Sequence, residues 1–497
     1  MRTVLSPQMS IGQTDIADIE LDLSSRDDIP QILLGLQHIY TTPPLRDAVF
    51  EILSEIIPKK VGKSGEEAVR TDTGRPGMDQ WKILVLGTLR VGLNADFDRT
   101  QELANQHRTI REMLGHGVLD EDLTYSLQTI KDNLALFTPE IMDRINQEVV
   151  RAGHSLIDQS PDEGISGRCD SFVVETDVHF PTDINLLYDA VRVMIRLCAV
   201  LCQQYGVLGW RNHKLNVRQF KKLYRKVQKL KHSTSKNEEK RKAKEAAIRE
   251  AYEDYLKLAE QFLARALATR NQLNQELGLP LNMLEELQTF MDDVERQMDQ
   301  IRRRVLEGEK IPHDEKVFSL FQRHTEWISK GKAGVPVELG LRVCILEDTA
   351  GFILHHQVMQ QETDDKVAVE MVTEAQQRFP NFSVCSFDKG FHSPQNQLDL
   401  KELLERVVLP KKGRLSQADK EREYSEEFIE TRHQHSAVES AINALEVHGL
   451  DKCRDHGIEG FKRYVALAVL ARNIQKVGAI KRHIEREREK ASRQKAA

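Results

Sequence analysis

Strand-forming sequence in this chain falls into separated blocks, and the long stretch between the first two reads as helix. That separation constrains the fold more than any other feature, because a sheet built from these blocks must close across a helical insertion. The first block contains Arg168-Cys169-Asp170-Ser171-Phe172-Val173-Val174 and stops at Pro181-Thr182-Asp183. A helix over 185–205 follows. From about 206 to 330 apolar residues recur at helical spacing, with Leu215, Phe220, Leu223, Val227 and Leu230 on one face of 214–231. Antiparallel helices, coiled-coil-like, are the natural reading. Strand character returns at 336–346 and 351–359, a hairpin turning at Glu347-Asp348-Thr349-Ala350. A helix over 364–379, a strand over 382–387, a helix over 398–405, a short strand at 407–409 and helices over 425–448 and 458–475 complete the pattern.

Upstream, residues 1–77 read as two short helices followed by a Gly-, Lys- and Thr-rich linker from Lys59 to Gly77. Residues 78–160 read as a small helical domain. Its loop near Asn105-Gln106-His107-Arg108 suits either a helix-turn-helix or a plain helical bundle. The tail 479–497 is highly charged and is expected to fray. The expected layout is therefore an all-α N-terminal domain, an α/β domain made of 165–205 and 334–478, and a helical insertion over 206–333.

Charge excludes a globally basic binder of nucleic acid, since the net charge is −6. A local basic face remains: residues 210–237 hold ten Lys or Arg and no acid. Arg211, Lys214, Arg218, Lys221, Lys222 and Arg225 are the expected phosphate contacts, with Lys389 and His435 elsewhere in the chain. The longest apolar run, Tyr464 to Ala471, is eight residues, against about 20 for a membrane helix. The six cysteines form no CxxC pair, and Cys198 and Cys202 at i, i+4 suit helix packing. A soluble, cytoplasmic protein with reduced thiols is expected.

Three carboxylates stand in settings that suit chemistry. Asp170 lies in the first strand block, Asp388 closes Ser383-Val384-Cys385-Ser386-Phe387-Asp388, and Glu439 lies in the helical run His435-Ser436-Ala437-Val438-Glu439-Ser440-Ala441-Ile442-Asn443. Carboxylates from strand ends and a helix, brought together by folding, hold divalent cations. An aspartate before Lys-Gly also favours a turn in its own right. His435, Glu439 and Asn443 form a polar stripe at i−4, i, i+4. A protonated His435 would contact a phosphate best below about pH 6.5. Asp177, with Glu175 and His179 on the opposite strand face, competes with Asp170 as the first ligand.

These segments resemble DDE transposases of bacterial insertion sequences, most closely the ISNCY group. The similar stretches are Asp170 to Asp183, His324-Thr-Glu-Trp-Ile-Ser-Lys-Gly-Lys332, Phe387-Asp-Lys-Gly-Phe-His392, His435 to Asn443, Gly460 to Tyr464 and Ala471-Arg-Asn473. The block at 79–115 also resembles the family's N-terminal region. The resemblance implies a ribonuclease-H-like core, and the order of strands and helices, with the insertion removed, agrees with one. It implies catalytic and metal-binding roles for Asp170, Asp388 and Glu439, and two Mg2+ or Mn2+ ions. It further implies double-stranded DNA as partner, at element ends and target, with a homodimer on DNA in the bacterial nucleoid. Related transposases often carry Arg four residues before the glutamate and Lys seven after, where this chain has His435 and Glu446. A transposase-derived DNA-binding protein without activity and a metal-dependent nuclease are the alternatives.

Overall fold

The computed structural model describes residues 3–9, 11–56, 59–62, 65–68, 77–120, 122–157, 164–232, 238–274, 281–329 and 337–496. The chain is mixed α/β and divides into two compact units, 1–177 with 326–497, and 178–325.

In the first unit β1 (Lys59–Gly62) and β2 (Gly65–Ala68) form an antiparallel hairpin within the segment expected to be a linker. The remaining strands are β3 (Ile165–Thr176), β4 (Glu326–Ser329), β5 (Val337–Asp348), β6 (Ile353–Val358), β7 (Phe382–Phe387), β8 (Arg406–Val408) and β9 (Lys452–Cys453). Among the described residues they form one seven-stranded sheet with the path β4-β5-β3-β7-β8. On one edge β3 pairs antiparallel with β5, from Gly167↔Asp348 to Glu175↔Gly340. On its other edge it pairs parallel with β7 and then with β9. The far edge of β5 is shared by β4 and β6, both antiparallel, and β8 lies parallel to β7. Such central strands are covered on both faces, which is why Phe172-Val173-Val174 and Val343 to Leu346 are unbroken apolar runs. The expected β5–β6 hairpin is present. Asp348 accepts the Phe352 N–H at 2.8 Å, and Gly351, at φ +86°, takes the left-handed position of the turn.

Helices cover this sheet and share its core. Buried Trp81, Leu84, Leu86, Ile145 and Val149 belong to the same apolar cluster as Val174 and Leu346. Residues 78–160 are thus part of the sheet-bearing unit and not a separate domain, because their apolar faces have no other core to fill. The helices around Asn105–Arg108, Phe97–Gln106 and Arg108–Met113, are separated by His107 alone, and the second has six residues.

The helix Gly457–Ala496 runs through the charged tail instead of fraying. Arg482 donates to the Ser25 carbonyl at 3.4 Å and Arg486 to that of Leu23, while Lys481–Glu485 and Arg493–Glu489 pair along the helix at i, i+4. Buried Asn473 donates to the carbonyl of Ile353 at 2.9 Å and accepts its N–H at 3.0 Å, fastening this helix to β6. Where it crosses the helix Asp28–Thr41 the backbones nearly touch. A Cβ on Gly35 would lie 2.1 Å from the Ile474 carbonyl oxygen, and one on Gly478 would lie 1.9 Å from that of Gln31.

The second unit contains the helices Asp183–Gln204, His213–His232, Glu238–Leu273 and Leu281–Ile301. It has its own core, in which Phe220 stacks on Tyr255 at 4.5 Å and Trp210 donates to Thr269 at 2.9 Å. Cys198 and Cys202 are buried there, as helix packing requires. Two boundaries differ from expectation. The helix Asp183–Gln204 is apolar on most sides and clusters with the insertion, so the insertion begins at 178. The stretch before 330, expected to be helical, contains β4, which pairs antiparallel with the next strand, β5, from Ser329↔Val337 to Glu326↔Gly340. Residues 330–336, including Lys332 of the quoted motif, and Lys236 at the end of the basic run lie outside the described residues.

Because an added methyl at Gly478 has nowhere to go, Gly478→Ala should cost about 1–3 kcal/mol. Urea unfolding should show a lower midpoint at unchanged slope.

Candidate functional site

The β3–β7 register places two aspartates side by side. Arg168 pairs with Ser386 and Cys169 with Phe387, so Asp170 and Asp388 are the next residues of two parallel neighbours. Asp170 is half-buried on β3, whereas Asp388 is exposed where β7 turns into the short helix Lys389–Phe391. Lys389, a further expected contact, is exposed beside it.

Glu439 comes from a helix whose form differs from expectation. The run 425–448 is not one helix but Glu426–His435, a break at Ser436–Ala437, Val438–Leu445 and a wide turn through Gly449 at φ +108°. Two contacts hold the break against the strands. Buried Arg168 donates to the Gln434 carbonyl at 3.1 Å, and Ser386 hydrogen-bonds His435 Nδ1 at 2.9 Å. Arg168 also donates to the Asp348 carbonyl at 3.1 Å and lies 3.6 Å from the Glu347 carboxylate. The end of the helix just before the one bearing Glu439 is thus tied to β3 and β7, the strands that carry the aspartates. Glu439 itself is exposed one residue into its helix.

These acids share one electrostatic field. Burial raises Asp170 to about 6; the Ser171 N–H, 2.7 Å away, opposes this, and the charges of Asp388, Asp364 and Glu439 add to it. Asp364 has no counterpart among the expected residues. It opens the helix Asp364–Arg378 and accepts from Ser171 Oγ at 2.6 Å, with Gly390 so close that a Cβ there would lie 2.7 Å from its carboxylate. In sequence it reads only as an acid in the first turn of a helix, where the dipole favours one. Ser171, directly after Asp170, and Ser386, two residues before Asp388, were the other signals available.

His435 does not take the expected role of a charged phosphate contact. Burial lowers its pKa, and Arg168 and Arg432 add to this against Asp388 and Glu439. Its ring faces inward to Ser386, with Nε2 buried. The hydrogen bond to Ser386 holds it on the strands instead of at the surface. Asp177 stands apart from the cluster. It is exposed, pairs with Lys452 at 2.6 Å, and is held below the usual carboxylate range by that contact, with further help from His456 and Arg454. His179 pairs with Asp189 at 3.4 Å. Asp170, not Asp177, is the aspartate gathered with Asp388 and Glu439.

The donors suit a hard divalent cation, being all carboxylate oxygen, and their mutual repulsion is what such a cation would relieve. As the side chains stand, no three His, Cys, Asp or Glu among the described residues converge closely enough to hold a metal ion. In the second unit Arg211, Lys214, Arg218, Lys221, Lys222 and Arg225 are all exposed, Arg211 just before the helix His213–His232 and the rest on it. The opposite face of that helix buries Phe220 and Val227. Among the described residues no helix is long and apolar enough to cross a membrane. All six cysteines are buried and none is disulfide-bonded. Compared with known protein families, curated proteins and solved structures, the chain finds no match.

A carboxyl whose pKa is raised on folding contributes stability that is full below its unfolded value, near 3.9, and is lost as pH rises through its folded value, here about 6. Asp170→Asn should therefore be more stable than the parent at pH 8, by on the order of 1–2 kcal/mol after allowance for partial exposure. The difference should close towards pH 4. Urea titrations at the two pH values measure it, and a pH-independent difference would contradict the assigned electrostatics.

Proposed function

We propose that this chain is a DDE transposase that cleaves DNA at the ends of an insertion sequence and joins those ends to target DNA. The observation that carries the reading is the adjacency of Asp170 and Asp388 on parallel strands, with Glu439 close enough to raise Asp170 further. The strand order supports a ribonuclease-H-like core. Read as β6-β5-β3-β7-β8, three antiparallel strands are followed by two parallel ones, and the helical unit interrupts the chain between β3 and β4.

Asp170, Asp388 and Glu439 would hold two Mg2+ or Mn2+ ions, which when bound activate an attacking oxygen and stabilise the leaving one in an in-line displacement. The chain's own residues set the conditions for that. Asp170 must be ionised to serve as a ligand, so cation binding competes with a proton near pH 6. Arg168 and Ser386 hold the helix end that precedes Glu439 against the strands. Asp364 holds Ser171, the residue after Asp170, in place. The exposed cations around His213–His232 would bind DNA phosphates, and a homodimer on DNA would bring two ends together.

Asp388→Asn and Glu439→Gln should each lower cleavage of a cognate end by more than about 100-fold, the scale of losing one catalytic electrostatic group, while duplex binding persists. Strand transfer with Mg2+ separates the readings. Cleavage without joining indicates a nuclease, and binding without either indicates an inactive DNA-binding protein. Full cleavage by both variants would remove the assignment.

Reversing Lys221, Lys222 and Arg225 to Glu should flatten the log–log salt dependence of duplex binding by at least about 2.7, at about 0.9 for each phosphate no longer neutralised. Fluorescence anisotropy across a chloride series measures the slope.

A further inference from the structure

We propose that a cavity in the first unit, walled by Lys131, Arg454, His456 and Arg463, is a phosphate cradle that grips the backbone of double-stranded DNA. The inference rests on the DNA-processing reading for its occupant, while its chemistry stands on the cavity itself. The cavity has a volume of about 430 Å³, room for a phosphodiester with its sugars. Asp455 also lines it, but that carboxylate is already engaged. Arg90, only 2% exposed, meets it at 2.7 Å, and Arg463 approaches it at 3.5 Å. Arg90 is itself clamped between the rings of Phe97, at 3.8 Å, and Tyr464, at 5.4 Å. A buried ion pair thus forms the floor and orients Arg463. Arg454 is held by the Asn94 side chain at 2.8 Å, and Lys131 lies over Phe97 at 5.4 Å. The nearby Asp177 is matched by Lys452. Four nitrogen-bearing side chains therefore face a space whose lining carboxylate is neutralised from below.

Position favours duplex DNA over a free anion. The segment that supplies Arg454 and His456 follows directly from the Glu439 helix through Glu446–Leu450. Its strand, β9, pairs with β3 at Glu175 and Thr176, five residues from Asp170. At about 3.3 Å per residue that is roughly 17 Å along one strand. Duplex DNA carries one charge per about 1.7 Å of axis, so a duplex running along that strand spans its length within a few base pairs. A phosphate gripped there would fix the register of the duplex at the acids.

The test uses the full chain carrying Asp388→Asn, with a labelled 30-base-pair duplex followed by anisotropy over a chloride series. Adding Lys131→Ala and Arg454→Ala should weaken binding by roughly tenfold or more at low salt and flatten the salt slope by about 1.8, the share of two phosphates, with the thermal midpoint unchanged. Lys131→Gln alone, an exposed change that leaves folding intact, should flatten it by about 0.9. Arg454→Lys, which keeps the charge, should preserve the slope. Unchanged affinity and slope in both the double variant and Lys131→Gln would overturn the cradle. So would the substitutions abolishing only competition by inorganic phosphate at matched ionic strength, since the cavity would then take free anions. Failure of the transposase reading shows up separately, as wild-type cleavage by the Asp388→Asn parent, and leaves the slope comparison decisive.

Discussion

Strand β3 makes hydrogen bonds along both edges, and the rest of the first unit depends on that pairing. Its antiparallel bond to β5 closes the sheet across the helical unit, and its parallel bonds to β7 and β9 bring in the C-terminal third of the chain. Because register in a buried sheet is fixed by which residues face the core, the β3–β7 pairing decides more than topology. A slip of one residue would move Asp170 to the other face and separate it from Asp388. The same strand places Arg168 two residues earlier, where it reaches the helix break before Glu439.

Gathering carboxylates costs free energy, and the local structure limits that cost. Asp170 takes a backbone N–H, Asp364 takes the Ser171 hydroxyl, and Asp388 and Glu439 stay exposed, where water screens them. Beneath them Arg168 sits against Glu347, which burial raises to about 7 even with the guanidinium opposing it. The buried positive charge of Arg168 is thus matched to Glu347 and to backbone carbonyls, not to Asp170, Asp388 or Glu439. The opposite arrangement is found around Asp455, where a buried arginine neutralises the acid and the outward side is positive.

Much of the fold was legible from local pattern. The strand blocks, the β5–β6 hairpin, the helix at 364–378 and the helical insertion follow from periodicity and turn residues, which act over a few residues. The errors came where distant partners decide. Nothing local distinguishes the helix Asp183–Gln204, apolar on most sides, as belonging to one core or another. The tail after Lys481 reads as a frayed charged segment until the N-terminal carbonyls of Leu23 and Ser25 are brought to Arg486 and Arg482. His435 reads as a solvent-facing cation because an unbroken helix would put it on Glu439's stripe. Its ring is instead held inward by Ser386, on a strand distant in sequence.

By itself, the sequence determined the chemical types at the candidate site: an aspartate within one strand and another just after a second, a glutamate on a helix, and a basic helix face. These are properties of short segments, written in side-chain spacing. Tertiary structure alone decided that Asp170 and not Asp177 joins the cluster, that Asp364 lies beside it, and that His435 turns inward. Each of those outcomes is a matter of sheet register or long-range hydrogen bonding, which depends on residues far apart in the chain and leaves no periodic trace in either partner.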